Sequence, residues 1–200
     1  MLIFLAASLA YDLLQEGKAD PRSPEWRPYL AELVARPLPD ADPVALYHLF
    51  LASFEGIDTR ARMTLAESWA ARHEGGRYAG PIALASLRSL FQSGDYEEVE
   101  KRTVRVAADH PEQAAQSLSL RVLCQVYRND LDAAEKTVAA LRQDFAGTPD
   151  EPEILYLAAW LRIEQNRLDE ARQMLQNVRN RFPDTSAAKK ARSALEELQP

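Results

Sequence analysis

The chain has 200 residues, 46 % hydrophobic and 27 % charged, with a formal net charge of -6. A chain of that length forms one domain or one short repeat array that buries roughly 70 % of its unfolded surface, so no metal or disulfide staple is required. Acids and bases are interspersed, which leaves no basic stripe for a phosphate backbone and excludes nucleic acid as an expected partner; the single cysteine, Cys124, excludes an internal disulfide.

Residues 1–10 are apolar apart from Ser8, and no Lys or Arg precedes them. The run is about half the roughly 20 residues needed to cross a bilayer, and Asp12, Gln15, Glu16 and Lys18 close it. A buried first helix over 2–16 is expected, and no membrane span. A signal segment cleaved after Ala10 and a helix that docks on a partner are the alternatives. A second helix over 23–36, with Ser23 as cap and Pro24 in its first turn, completes an N-terminal pair spanning 1–41. Residues 42–79 read as a degenerate hairpin. Asp42-Pro43 starts a helix that runs through Phe54 to Gly56, a second helix covers about 58–73, and the break Gly75-Gly76-Arg77-Tyr78-Ala79-Gly80-Pro81 follows.

Three clearer repeats occupy 80–184. Tyr96, Val99, Thr103, Val106 and His110 step by 3, 4, 3 and 4, one face of a helix. The same steps recur at Leu131, Ala134, Val138, Leu141 and Phe145, and at Leu168, Ala171, Leu175, Val178 and Phe182. The lead-ins are Ser93-Gly94-Asp95, Arg128-Asn129-Asp130 and Gln165-Asn166-Arg167. Gly94, Asn129 and Asn166 are the residue types that most easily take a left-handed backbone and end a helix. Asp95 and Asp130 can cap the next one, and acids in its first turn suit the helix dipole. Upstream of each turn lies another apolar stretch of helical length, over 82–91, 118–127 and 154–163. Each unit is thus a hairpin, and Val99, Ala134 and Ala171 lie 35 and 37 residues apart, a period that belongs to hairpin solenoids. Pro111 and Pro183 close the first and third units, whereas the second ends in the looser Gly147-Thr148-Pro149-Asp150. Residues 185–200 form a capping helix with a charged exterior.

Gly94-Asp95-Tyr96-Glu97-Glu98-Val99 and Arg167-Leu168-Asp169-Glu170-Ala171 resemble the turn of the tetratricopeptide repeat, and Pro111 and Pro183 fall twelve residues after Val99 and Ala171, as that family's closing proline does. The ending Arg181-Phe182-Pro183-Asp184-Thr185-Ser186 is similar to repeat ends of bacterial envelope proteins. The resemblance implies an all-α fold, a right-handed solenoid of antiparallel helical hairpins with about 11 helices. In the first helices of the units, where the family has large, small and aromatic apolar residues, this chain has Ser86, Leu87 and Leu90, then Arg121, Val122 and Gln125, then Ala158, Ala159 and Arg162. Altered helix packing or a shifted register is the expected consequence.

Catalytic chemistry finds no support in the spacing. His48, His73 and His110 form no paired-ligand motif, and Cys124 sits mid-helix, away from any helix N-terminus that would activate it. No catalytic residue, metal site or cofactor is expected. Carboxylate pairs such as Glu97 and Glu98 are explained by helix dipoles. Solenoid curvature creates a concave face instead. The family's groove positions project onto Leu84, Arg88 and Phe91, then Ser119, Leu123 and Val126, then Tyr156, Trp160 and Ile163. Only Arg88 among them is cationic, so a peptide or amphipathic helix presenting apolar groups is the expected ligand, and a terminal-carboxylate clamp is not. The same side chains serve equally well as core between hairpins. The expected function is a non-catalytic interaction scaffold or adaptor for a protein or peptide partner, cytoplasmic and compatible with homo-oligomerisation. The alternative is an envelope assembly or division factor, periplasmic or envelope-associated, acting through the apolar N-terminal helix.

Overall fold

The computed structural model describes residues 79–198. The expected N-terminal helical pair, the bulk of the degenerate hairpin, His48 and His73 lie outside the described residues. Among the described residues every regular element is helical: α1 (Ala79–Gln92), α2 (Tyr96–Asp109), a 3₁₀ turn (Pro111–Gln113), α3 (Ala114–Tyr127), α4 (Leu131–Asp144), α5 (Glu151–Glu164), α6 (Leu168–Arg181) and α7 (Ser186–Glu197). The chain divides into two compact units, residues 1–95 and 96–200, so the boundary falls in the turn after α1.

Helix α1 begins earlier than the glycine-rich break suggested, with Ala79, Gly80 and Pro81 already helical. Proline is tolerated there because the first turn of a helix has backbone N–H groups without intrahelical partners in any case. Its buried residues, Ile82, Leu84, Ala85, Leu87, Ser89 and Leu90 among them, lie on most sides of the helix.

The three lead-ins form one turn, repeated. Gly94, Asn129 and Asn166 have φ of 82°, 60° and 58°. In each turn the left-handed residue donates its N–H to a carbonyl three residues back: Gly94 to Phe91, Asn129 to Val126 and Asn166 to Ile163, at 2.8 to 3.0 Å. The next residue donates five back, Asp95 to Leu90, Asp130 to Gln125 and Arg167 to Arg162, at 2.8 to 3.1 Å. This pair of bonds satisfies carbonyls that the end of a helix leaves open. Asp130 then caps α4, its carboxylate accepting the Ala133 N–H at 3.1 Å. At the third turn Arg167 occupies the capping position without a capping bond and pairs with Glu170 instead.

In the second unit each helix packs against the next in the chain, and α5 also touches α3 and α7. The expected faces are the buried ones. Val99 and Thr103, then Ala134, Val138 and Leu141, then Ala171, Leu175 and Val178 are all buried. Two core clusters are seen among the described residues. One joins Ala115 and Val122 of α3, Ala134, Val138 and Leu141 of α4, and Ile154, Leu157, Ala158 and Leu161 of α5. The other joins Ala159 of α5, Leu175 and Val178 of α6, and Ala187 and Ala191 of α7. Fully burying one Leu or Val side chain stabilises by about 1.5–3 kcal/mol.

The unconventional residues of the first helices do not shift the register. Leu90, Gln125 and Arg162 supply the same turn carbonyl in the three repeats, so polar side chains simply occupy an inward position. Gln125 is 3 % exposed, and its Oε1, like Nε of Arg121, is buried without a hydrogen-bond partner.

Candidate functional site

Of the nine projected groove residues, Leu84, Arg88 and Phe91 belong to the first compact unit and the other six to the second. Leu84 is buried at 4 % exposure, Arg88 is exposed and Phe91 half-buried. In the second unit Leu123 and Val126 on α3 and Trp160 on α5 are half-buried and pack against the same core cluster. Tyr156 and Ile163 pack against the other cluster, at the α7 side of α5. Ser119 is half-buried, and its hydroxyl donates to the Ala115 carbonyl at 2.7 Å. The structure therefore packs Leu123, Val126 and Trp160 against one core cluster and Tyr156 with Ile163 against the other. Each is part core and part surface.

Polar ties surround these residues, and sequence reasoning missed them. Lys190 of α7 lies over the Tyr156 ring at 5.7 Å and pairs with Glu153 at 2.9 Å. Burial is the main cause that pushes the Tyr156 hydroxyl above the usual tyrosine range. The residue after each buried small side chain of the second helices, namely Glu100, Glu135 and Arg172, reaches the far end of a neighbouring first helix. Glu100 accepts from Arg128 at 2.7 Å, and Glu135 accepts both terminal nitrogens of Arg162. Arg172 reverses the polarity and donates to the Leu198 carbonyl at 2.7 Å. The signal was available: Glu100 and Glu135 are 35 residues apart, one repeat period. Hydrogen bonds from Arg162 chiefly hold the Glu135 carboxyl down to about 2, against its desolvation.

Cys124 is fully buried, and desolvation pushes its thiol up to about 12. A small hydrophobe with an inert thiol is the result. His110 follows the end of α2, its N–H donating to the Val106 carbonyl at 2.9 Å, and its Nδ1 stands 4.0 Å from Glu112. Among the described residues no cluster of His, Cys, Asp and Glu could hold a metal ion, and no helix is long and apolar enough to cross a membrane.

A second surface feature is a cleft of about 320 Å³ at the end of the α4/α5/α6 layer, lined by Leu141, Arg142, Phe145, Glu151, Ile154, Leu155 and Arg181 among others. It adjoins the connector 145–150.

Comparison with known proteins agrees with this architecture. The family described as tetratricopeptide repeat protein 21 ARM repeat matches residues 79–195. A crystal structure of a tetratricopeptide repeat protein from Parabacteroides merdae ATCC 43184 superposes with a TM-score of 0.62 at 13 % identity, covering 99 % of this chain and 74 % of that one. At that identity the likeness is one of fold. No curated protein matches the sequence. The match over 79–195 places the chain in a family: it belongs to the tetratricopeptide repeat protein 21 ARM-repeat family.

Proposed function

We propose that the chain, as a member of this helical-repeat family, is a non-catalytic protein-interaction scaffold that receives a peptide or helix of a partner protein along α3 and α5. The carrying observation is that Leu123, Val126 and Trp160 pack on one core cluster yet keep part of their surface open. Tryptophan held rigidly on a helix, with one face supported by core and the other accessible, is the usual anchor of a binding hot spot. Tyr156 and Ile163 extend the surface toward α7, and Ser119 adds a polar edge. The reading includes stacking of the antiparallel hairpins as a right-handed solenoid of about eleven helices. A cytoplasmic location belongs to the same proposal, to be settled by fractionation.

The test is affinity purification from the native host with wild type and with a Tyr156→Ala, Trp160→Ala double variant whose circular dichroism and melting show it folded. The expected outcome is one partner recovered by wild type and lost by the variant, with a binding loss of about 2 kcal/mol or more when measured with the purified partner. Equal recovery by both proteins removes the groove assignment.

A further inference from the structure

The cleft beside residues 145–150 arises from the repeat arithmetic. Helices α3, α4, α5 and α6 each have 14 residues, and the turns inside the hairpins, 128–130 and 165–167, have equal length. The connector before α3 spans 110–113 and the one before α7 spans 182–185, but the one before α5 spans 145–150. The whole difference between the 35- and 37-residue periods therefore lies in this connector. Extra residues in a repeat array emerge on one face as loops, often the binding face.

The longer connector is ordered by its own bonds. Gly147 takes φ of 75°. The Thr148 hydroxyl donates to the Phe145 carbonyl at 2.8 Å, and Glu151 donates its N–H to the Thr148 carbonyl at 3.1 Å. One carboxylate oxygen of Glu151 accepts the Gly147 N–H at 3.0 Å and the other accepts from Arg181 at 2.8 Å. The lining that results is apolar at depth, where Leu141 and Ile154 are buried, and cationic at its mouth, where Arg142 and Arg181 are exposed.

The two arginines differ. Glu151 neutralises Arg181, whose guanidinium also lies over the Phe182 ring at 4.8 Å. Arg142 has no ion-pair or hydrogen-bond partner among the described residues, so the cleft carries one uncompensated positive charge on a chain whose net charge is -6. A volume of about 320 Å³ stands at the lower end of the roughly 300–1,000 Å³ typical of ligand sites. It admits side chains and no folded domain.

We infer that this cleft is a second recognition site, for a short peptide segment in which an apolar side chain stands beside a carboxylate. The apolar group fills the space between Phe145 and Leu155, and the carboxylate pairs with Arg142 in the bidentate geometry that a guanidinium favours. A phosphate is disfavoured by the lone free cation. The cleft shares no lining residue with the α3/α5 surface, and the inference does not rest on binding there.

The test uses the full chain and fluorescence anisotropy with a set of fluorescein-labelled octapeptides that carry Leu or Phe next to Asp or Glu, beside a matched set with Asn or Gln in place of the acid. Acid-bearing peptides are expected to bind, and their amide counterparts to bind about tenfold more weakly. Arg142→Gln, an exposed change that leaves the core untouched, should lower affinity by the same factor, and Ala139→Trp, at the rim, should block binding. Arg192→Gln, an exposed charge change on α7 away from the cleft lining, should leave it unchanged. The inference is overturned if no octapeptide binds, if acid and amide sets bind alike, if Arg142→Gln binds as wild type, or if Arg192→Gln weakens binding as much as Arg142→Gln.

Discussion

Arg162, in the last turn of α5, reaches back to Glu135 on α4 and grips both carboxylate oxygens with its two terminal nitrogens, Nη2 to Oε1 at 2.5 Å. Gln165 adds a third bond to the same carboxylate at 3.0 Å, and Glu170 stands 3.5 Å from the Arg162 Nε. The Arg162 side chain is 13 % exposed and that of Glu135 is 40 % exposed.

That grip makes stability depend on acid. The Glu135 carboxyl titrates at about 2 in the folded chain against about 4.3 in an unfolded one. The unfolded state therefore binds more protons in that interval, so the contribution is fully present above about pH 5 and is lost as pH falls through about 2. Urea midpoints measured across that range should decline less steeply in Glu135→Gln than in wild type. At neutral pH the variant should lose about 1 kcal/mol, a modest figure because solvent reaches the carboxylate. Parallel acid limbs in the two proteins would contradict this account.

The left-handed turns provide a cleaner comparison. Asn166 has φ of 58°, where a Cβ costs roughly 1–2 kcal/mol unless the side chain compensates. Asn166→Ala should destabilise by about 1 kcal/mol, whereas Asn166→Gly should be neutral or slightly stabilising. Asn129 should show the same order. Equilibrium denaturation decides the matter, and equal stability of the Ala and Gly variants would count against turn strain as the cause.

Capping separates the second and third turns. Asp130→Ala removes a bond to the Ala133 N–H and should cost about 1 kcal/mol. Arg167→Ala removes an exposed pairing with Glu170 and a long 3.5 Å bond to the Gln165 side chain, and should cost less than about 0.5 kcal/mol. Thermal melts of both variants against wild type test the ranking, which fails if Arg167→Ala is the more damaging.

Much of this was legible in the sequence because it is local. The 3-and-4 stepping identified the buried faces of α2, α4 and α6, and residue type alone marked Gly94, Asn129 and Asn166. What was not legible depends on distance in the chain. Arg162 read as a departure from the apolar pattern of the first helices, and only folding brings Glu135, 27 residues away, to its guanidinium. Groove projection treated Tyr156 and Trp160 as one surface, yet α5 places them against different clusters. Gln125 shows the limit from the other side, since its inward position follows from the turn register and not from its polarity.

Cys124 should be silent in the native chain. Its thiol is fully buried and pushed up to about 12, so modification by an aromatic disulfide reagent at pH 8 should proceed no faster than opening of the structure. Rapid labelling of folded protein would show that α3 opens locally.

Helix α5 contributes Ile154, Leu157, Ala158 and Leu161 to one core and Ala159, Tyr156 and Ile163 to the other. Ala158 and Ala159, adjacent in sequence, thus belong to different cores, as expected of a helix that is apolar nearly all round. It serves as a common axle. Loss of either core bares one side of the helix on which the other is built, so the hairpins on its two sides are coupled through α5.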